Sequence, residues 1–223
     1  MPALINWWHQ DLADLAPFAL DDAVQAAGTD LLRRWAEPQR RYHRTTHLVE
    51  VFWALEELED ADGLDPRSGL LGRVAGWFHD AVYIPLAAAG ANEADSARLA
   101  VDVLGELGAD PGDIGCIERL IRLTATHTGD SLTDLDRAFL DADLWILSAE
   151  SERFDDYCAQ VREEYAAVPD AAYRAARAEV LRGFAERPRL YFTDFAAAQW
   201  EPRARNNLDR EIARLGGPDI DGE

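Results

Sequence analysis

His47, the adjacent pair His79-Asp80, and the acids Asp141 and Asp143 are the side chains of this sequence best suited to chemistry. Imidazoles and carboxylates brought together from separate helices are a common way for an all-helical protein to ligate a divalent cation. One ion held from three parts of the chain is therefore the first expectation. On a helix of ~3.6 residues per turn, His79 and Asp80 point about 100° apart, so both can reach an ion lying between two helices. His47 lies four residues before Val51, on the flank of an apolar stripe that turns its ring inward. Asp143 falls between Phe139 and Ile146-Leu147, and a carboxylate facing a core is costly unless a cation meets it. Asp141 points away from that stripe and reads as a solvated or arginine-paired acid.

The elements that must position these residues are helical. Leu48, Val51, Phe52, Leu55 and Leu58 follow three-and-four spacing, and Leu70, Leu71, Val74, Ala75 and Phe78 repeat it just before the histidine-aspartate pair. Further stripes run through Leu99 to Leu107, Ile114 to Thr124 and Phe139 to Leu147, and no alternating strand pattern interrupts them. Gly72 and Gly76 share the side of His79, which leaves room for a neighbouring helix or an ion. Asp62-Gly63, Asp65-Pro66, Pro85 to Gly90, Gly108 to Gly112, Gly129-Asp130, Pro169-Asp170 and Arg187-Pro188 are turn or helix-end signals. None is long enough to link two domains. The expectation is an all-α single domain over residues 1–215, followed by a frayed tail from Gly216 to Glu223.

Composition narrows the partners. A chain of 223 residues with 48% hydrophobic content can build one full core. The net charge of −20 opposes a nucleic-acid polymer, whose grip needs clustered cations, and points to a small substrate. No stretch reaches the ~20 apolar residues of a membrane span, and the N-terminus lacks a basic segment followed by a long apolar one. Cys116 and Cys158 have no paired spacing, which suits reduced thiols and a cytoplasmic setting. Phosphate-loop, nucleophile-elbow and dinucleotide fingerprints are absent. The field narrows to metal chemistry or none.

The order His47, His79-Asp80, Asp143 resembles the H…HD…D pattern of the HD-domain superfamily of metal-dependent phosphohydrolases. The likeness extends to EPQRRYHRTTH (37–47), WFHDAVY (77–83), NEADSA (92–97), DADLWIL (141–147), VREEY (161–165) and RARNNL (203–208), which are similar to segments of a branch of predicted HD-type hydrolases. It runs over roughly Trp35 to Leu215 and implies an HD-type helical bundle. It also implies that His47, His79, Asp80 and Asp143 are the metal ligands. His127 corresponds in character to a histidine that many HD proteins place near the site for a second metal or the phosphate, and its spacing from Ile117, Leu120 and Thr124 turns it inward. His43 shares a face with His47 if their helix extends back that far. Where the branch often carries an acid after the WFHDAVY segment, this chain has Ile84.

The resemblance implies hydrolysis of a nucleotide or other small phosphate ester, with Asp80, Glu93 and His127 as the catalytic candidates. Glu93 is the first choice for the general base. Mixed nitrogen and oxygen ligation favours Mn, Fe, Co, Ni or Zn over Mg. Every cationic side chain that carries a fixed charge is an arginine, and Arg40 and Arg41 are the candidates for binding phosphate, with His43 and Tyr83 beside them. Two alternatives remain open: a di-iron oxygenase, which would enlist His43 and His127 as additional ligands, and a non-catalytic metal-binding or regulatory module. A homo-oligomer is compatible with everything above.

Overall fold

Asp65 and Asp110 begin helices by the same device. Each accepts a backbone N–H from the first turn, and a proline with its preset φ occupies the first helical position. Thr133 and Asp136 form a reciprocal capping box at a third start. The computed structural model describes residues 2–217. Its helices are α1 (Pro2–Leu15), α2 (Asp21–Trp35), α3 (Thr45–Asp62), α4 (Pro66–Phe78), α5 (Ala91–Glu106), α6 (Pro111–Leu123), α7 (Asp134–Asp143), α8 (Ser151–Glu164), α9 (Asp170–Ala185), α10 (Asp194–Gln199) and α11 (Glu201–Gly216). A 3₁₀ turn, Trp145–Ser148, separates α7 from α8. Among the described residues there is no strand, and the fold is all-α.

The apolar stripes read from the sequence are the buried faces. α3 packs on α4 and α7, α4 on α6, α5 on α6, and α9 on α11. Leu48, Leu55, Leu58, Val74, Phe78 and Phe139 are all fully enclosed in one continuous core. Trp8, Trp35 and Trp77 are buried in it too, and each spends its indole N–H on a partner: Val24 O, Trp77 O and Asp11 Oδ2 respectively. Gly76 explains the closeness of α3 and α4, because a Cβ there would stand 2.9 Å from the Phe52 ring. The space beside Gly72 and Gly76 is therefore filled by neighbouring helices and not by an ion site.

Three expectations about helix limits change. α3 begins at Thr45, so His43 precedes the helix instead of sharing a helical face with His47. α4 ends at Phe78, so His79 caps it and Asp80 lies in the turn beyond. α7 ends at Asp143, so Ile146 and Leu147 belong to the 3₁₀ turn. α11 extends through Gly216, and residues 218–223 of the expected tail lie outside the described residues. No helix among those described is long and apolar enough to cross a membrane.

Candidate metal centre

Four side chains, from α3, from the cap and turn that end α4, and from α7, converge on one point. His47 Nε2 lies 3.1 Å from His79 Nε2. Asp143 Oδ1 is 3.2 Å from the first of these nitrogens and 3.3 Å from the second, while Asp80 Oδ2 is 3.7 and 3.3 Å from them. Ligands at right angles on an ion with bonds of ~2.1 Å stand ~3 Å apart, so this spacing fits donors that share one transition-metal ion. His47, His79 and Asp80 by themselves offer three ligand atoms within 4.8 Å of one another.

The surroundings prepare these atoms. His79 Nδ1 is 2.8 Å from the carbonyl of Gly76, an acceptor only, so this nitrogen carries the hydrogen and Nε2 is left as the ligating lone pair. His47 Nδ1 meets the hydroxyl of Tyr42 at 2.9 Å, a partner that can donate or accept. The Trp35 ring lies beside both imidazoles and restricts how they can turn. The helices add a field of the right sign. His79 caps the C-terminus of α4 and Asp143 is the last residue of α7, so two negative helix ends face the cluster. A carboxylate at such an end is disfavoured by the helix, which strengthens the demand for a cation.

The same demand shows in the protonation of the cluster. Burial opposes charge on His79, yet the carboxylates of Asp80 and Asp143 outweigh it and hold the imidazole well above its ordinary range. Burial also opposes ionisation of the two acids. The nearby imidazoles, His79 foremost, reverse this and hold both carboxyls well below the usual range. A positive charge at this point is what the geometry requires, whether a proton or an ion supplies it.

His127 stands one step behind. Its Nε2 is 2.8 Å from Asp143 Oδ2, so it grips the oxygen that does not face the other histidines. Its backbone adopts a φ of 50°, a left-handed conformation uncommon outside glycine. Arg187 holds the strained turn by donating to the carbonyls of Thr126 and His127. The inward orientation of His127 comes from this turn past the end of α6, not from helical phase.

Asp141 is a correction. It is buried, neither solvated nor arginine-paired, and its two oxygens accept the backbone N–H groups of Phe192 and Thr193 at 2.8 Å each. Burial lifts its carboxyl to about 6 against the pull of those N–H groups. It anchors the segment ahead of α10 and takes no part in the cluster.

The arginines are a second correction. Arg40 is buried, and its guanidinium donates to the carbonyls of His43, Asp80 and Ala81, stapling the segment before α3 to the turn after α4. Arg41 is exposed, donates to the carbonyls of Pro38 and Arg40, and pairs with Glu163. Tyr83 gives its hydroxyl to Glu164 and stacks on His43 with ring centres 4.1 Å apart. None of the three lines the cavity over the cluster.

That cavity is about 150 Å³, and its wall includes His43, Glu93, Thr124, His127, Leu144 and Tyr157 around His47, Asp80 and Asp143. Glu93 has no hydrogen-bonding or ionic partner among the described residues, which leaves a free carboxylate in the wall. Ile84 is 58% exposed and absent from the wall, while Asn92 fixes its backbone through both the N–H and the carbonyl. An acid at position 84 would face solvent in this arrangement.

The residue that organises the approach was given no role in the sequence reading. Glu164, buried at the end of α8, accepts the N–H groups of Arg41, Tyr42 and His43 on Oε1 and meets His43 Nδ1 and Tyr83 OH on Oε2. Burial works to raise its carboxyl, but these partners, His43 foremost, bring it down to about 2. Its signal was present in VREEY, where Glu164 lies three residues after Val161, on the buried face of the helix. Tyr42 and Tyr157 were likewise not singled out, and Arg187 was read only as part of a turn signal. No family model, no curated protein and no solved structure matches this chain.

Proposed function

We propose that this chain is a metal-dependent phosphohydrolase of the HD-domain type, acting on a nucleotide or other small phosphate ester. The observation that carries the reading is the convergence of His47, His79, Asp80 and Asp143 at ligand spacing beside a cavity whose wall holds the free carboxylate of Glu93. A divalent transition ion held there would lower the pKa of a coordinated water and polarise a phosphoryl oxygen.

The protein's own groups supply the rest. Glu93 accepts the proton of the attacking water, because it is the cavity carboxylate that neither pairs nor joins the cluster. His127 orients Asp143, and Tyr42 adjusts the tautomer of His47. His43, fixed by Glu164, adds a polar group to the wall. The ligand set suits Mn, Fe, Co, Ni or Zn. The two free cysteines, Cys116 and Cys158, support a cytoplasmic setting.

A second reading, a di-iron oxygenase, draws on the sharing of the Asp143 carboxylate between the cluster and His127, since a bridging carboxylate is what a dinuclear centre requires. Metal analysis followed by a phosphatase and nucleotidase panel with Mn, Co, Ni and Mg separates the readings. Phosphate release with one ion per chain supports the first. Two irons per chain support the second. A folded, metal-loaded sample inert on the whole panel overturns the phosphohydrolase reading.

A further inference from the structure

The cavity over the metal cluster contains no arginine, yet an anionic substrate needs a donor there besides the ion. The wall supplies one in Tyr157. This residue packs edge-on against Tyr42 with ring centres 4.5 Å apart, and its hydroxyl accepts a hydrogen bond from Arg177 Nη2. The phenolic hydrogen is thereby left over, and no acceptor among the described residues takes it. Burial pushes the phenol above its ordinary pKa against the pull of Arg177, so the hydroxyl remains a donor.

Arg177 is itself unusual. In a chain with 42 acidic residues, no carboxylate pairs with it among the described residues, and its buried Nε has no hydrogen-bond partner. Its guanidinium lies 5.2 Å from the centre of the Tyr157 ring. The other buried side-chain nitrogen left unpartnered among the described residues is Nη1 of Arg153, whose guanidinium carbon lies 5.8 Å from the centre of the Tyr42 ring, on the same pair of tyrosines. Buried polar atoms are nearly always satisfied, and both of these nitrogens belong to arginines set against tyrosines of one cavity wall.

We infer that Tyr157 and Arg177 form the anion-positioning pair of the metal cavity, with the Tyr157 hydroxyl donating to a phosphoryl oxygen and Arg177 supplying the positive charge behind it. The inference rests on the phosphohydrolase reading and deepens it, because it gives the substrate's anionic group a second point of attachment. Arg177 acts through Tyr157 and is a positioning residue.

The test is titration of inorganic phosphate into manganese-loaded protein, with metal content and unfolding midpoint measured on the same samples. Tyr157→Phe removes one hydroxyl and preserves the ring, and it should weaken phosphate binding about tenfold while the manganese content stays unchanged. Arg177→Gln should cost a similar factor, and Arg177→Lys should recover part of it. The double variant Tyr157→Phe, Arg177→Gln should bind no more weakly than the worse single variant, because the pair acts as one unit. Phosphate binding by Tyr157→Phe and Arg177→Gln equal to that of the unmodified protein overturns the inference alone. Loss of manganese together with phosphate also overturns it, since the tyrosine would then serve the cluster and not the anion. Failure of the unmodified, manganese-loaded protein to bind phosphate at all removes the phosphohydrolase reading and the inference with it.

Discussion

His127 Nε2 lies 2.8 Å from Asp143 Oδ2, while the other oxygen of the same carboxylate faces His47 and His79. One acid is thus held from behind by one imidazole and presented to two others. Partners placed behind a ligand typically change metal affinity by about 10- to 100-fold. His127→Ala should lower affinity in that range without abolishing binding, as measured by competition with a chelator. His127→Gly should show the same affinity loss with a smaller stability loss, because glycine relieves the φ of 50°. Equal affinity in the variant and the unmodified protein would remove His127 from the site.

Asp141 and Asp143 are two residues apart and have opposite duties. Asp143→Ala and Asp80→Ala should each abolish metal retention, with the far-ultraviolet helical signal preserved. Asp141→Ala should keep the metal and lose on the order of 2–4 kcal/mol of stability, since one buried and one partly buried N–H group lose their acceptor. Metal analysis and urea unfolding of the three variants check this. Metal loss confined to Asp141→Ala would overturn the assignment.

Glu93→Gln keeps the shape of the cavity wall and removes the proton acceptor. Phosphate release should fall by roughly 10²- to 10⁴-fold, with metal content and phosphate affinity little changed. A variant as active as the unmodified protein would transfer the base to another group.

Glu164 makes stability depend on pH in a defined direction. Its carboxyl is lowered to about 2 in the folded protein from an ordinary value of 4.5, so between those values the unfolded chain holds more protons than the folded one. The stabilisation is fully present above pH 4.5 and is lost as pH falls toward 2, with a span of roughly 3 kcal/mol. Metal-free samples unfolded in urea at pH 5 and pH 3 should show Glu164→Gln losing less stability over this interval than the unmodified chain. Parallel losses would mean that other acids govern the response.

The fold was legible because its evidence is repetitive. Stripes such as Leu48 to Leu58 recur over several turns, and burial follows them. His47, His79, Asp80 and Asp143 were legible for a related reason: each is a polar group at a position that apolar neighbours or a motif place inward. Helix limits were less so, since α7 stops at Asp143 although the apolar pattern continues into a 3₁₀ turn. Asp141 was misread because its partners, the N–H groups of Phe192 and Thr193, lie some fifty residues onward and belong to no side chain. Arg40 was misread for the same reason, its acceptors being backbone carbonyls. Sequence spacing carries side-chain identity over short distances, whereas main-chain partners brought in by tertiary folding leave no letter to read.

The wall of the cavity over the cluster carries three carboxylates, Asp80, Glu93 and Asp143, and no arginine. In a chain of net charge −20 such a wall repels anions until a cation occupies the cluster. An order of binding follows: phosphate should be taken up only after the metal, and a chelator that strips the metal should release both together.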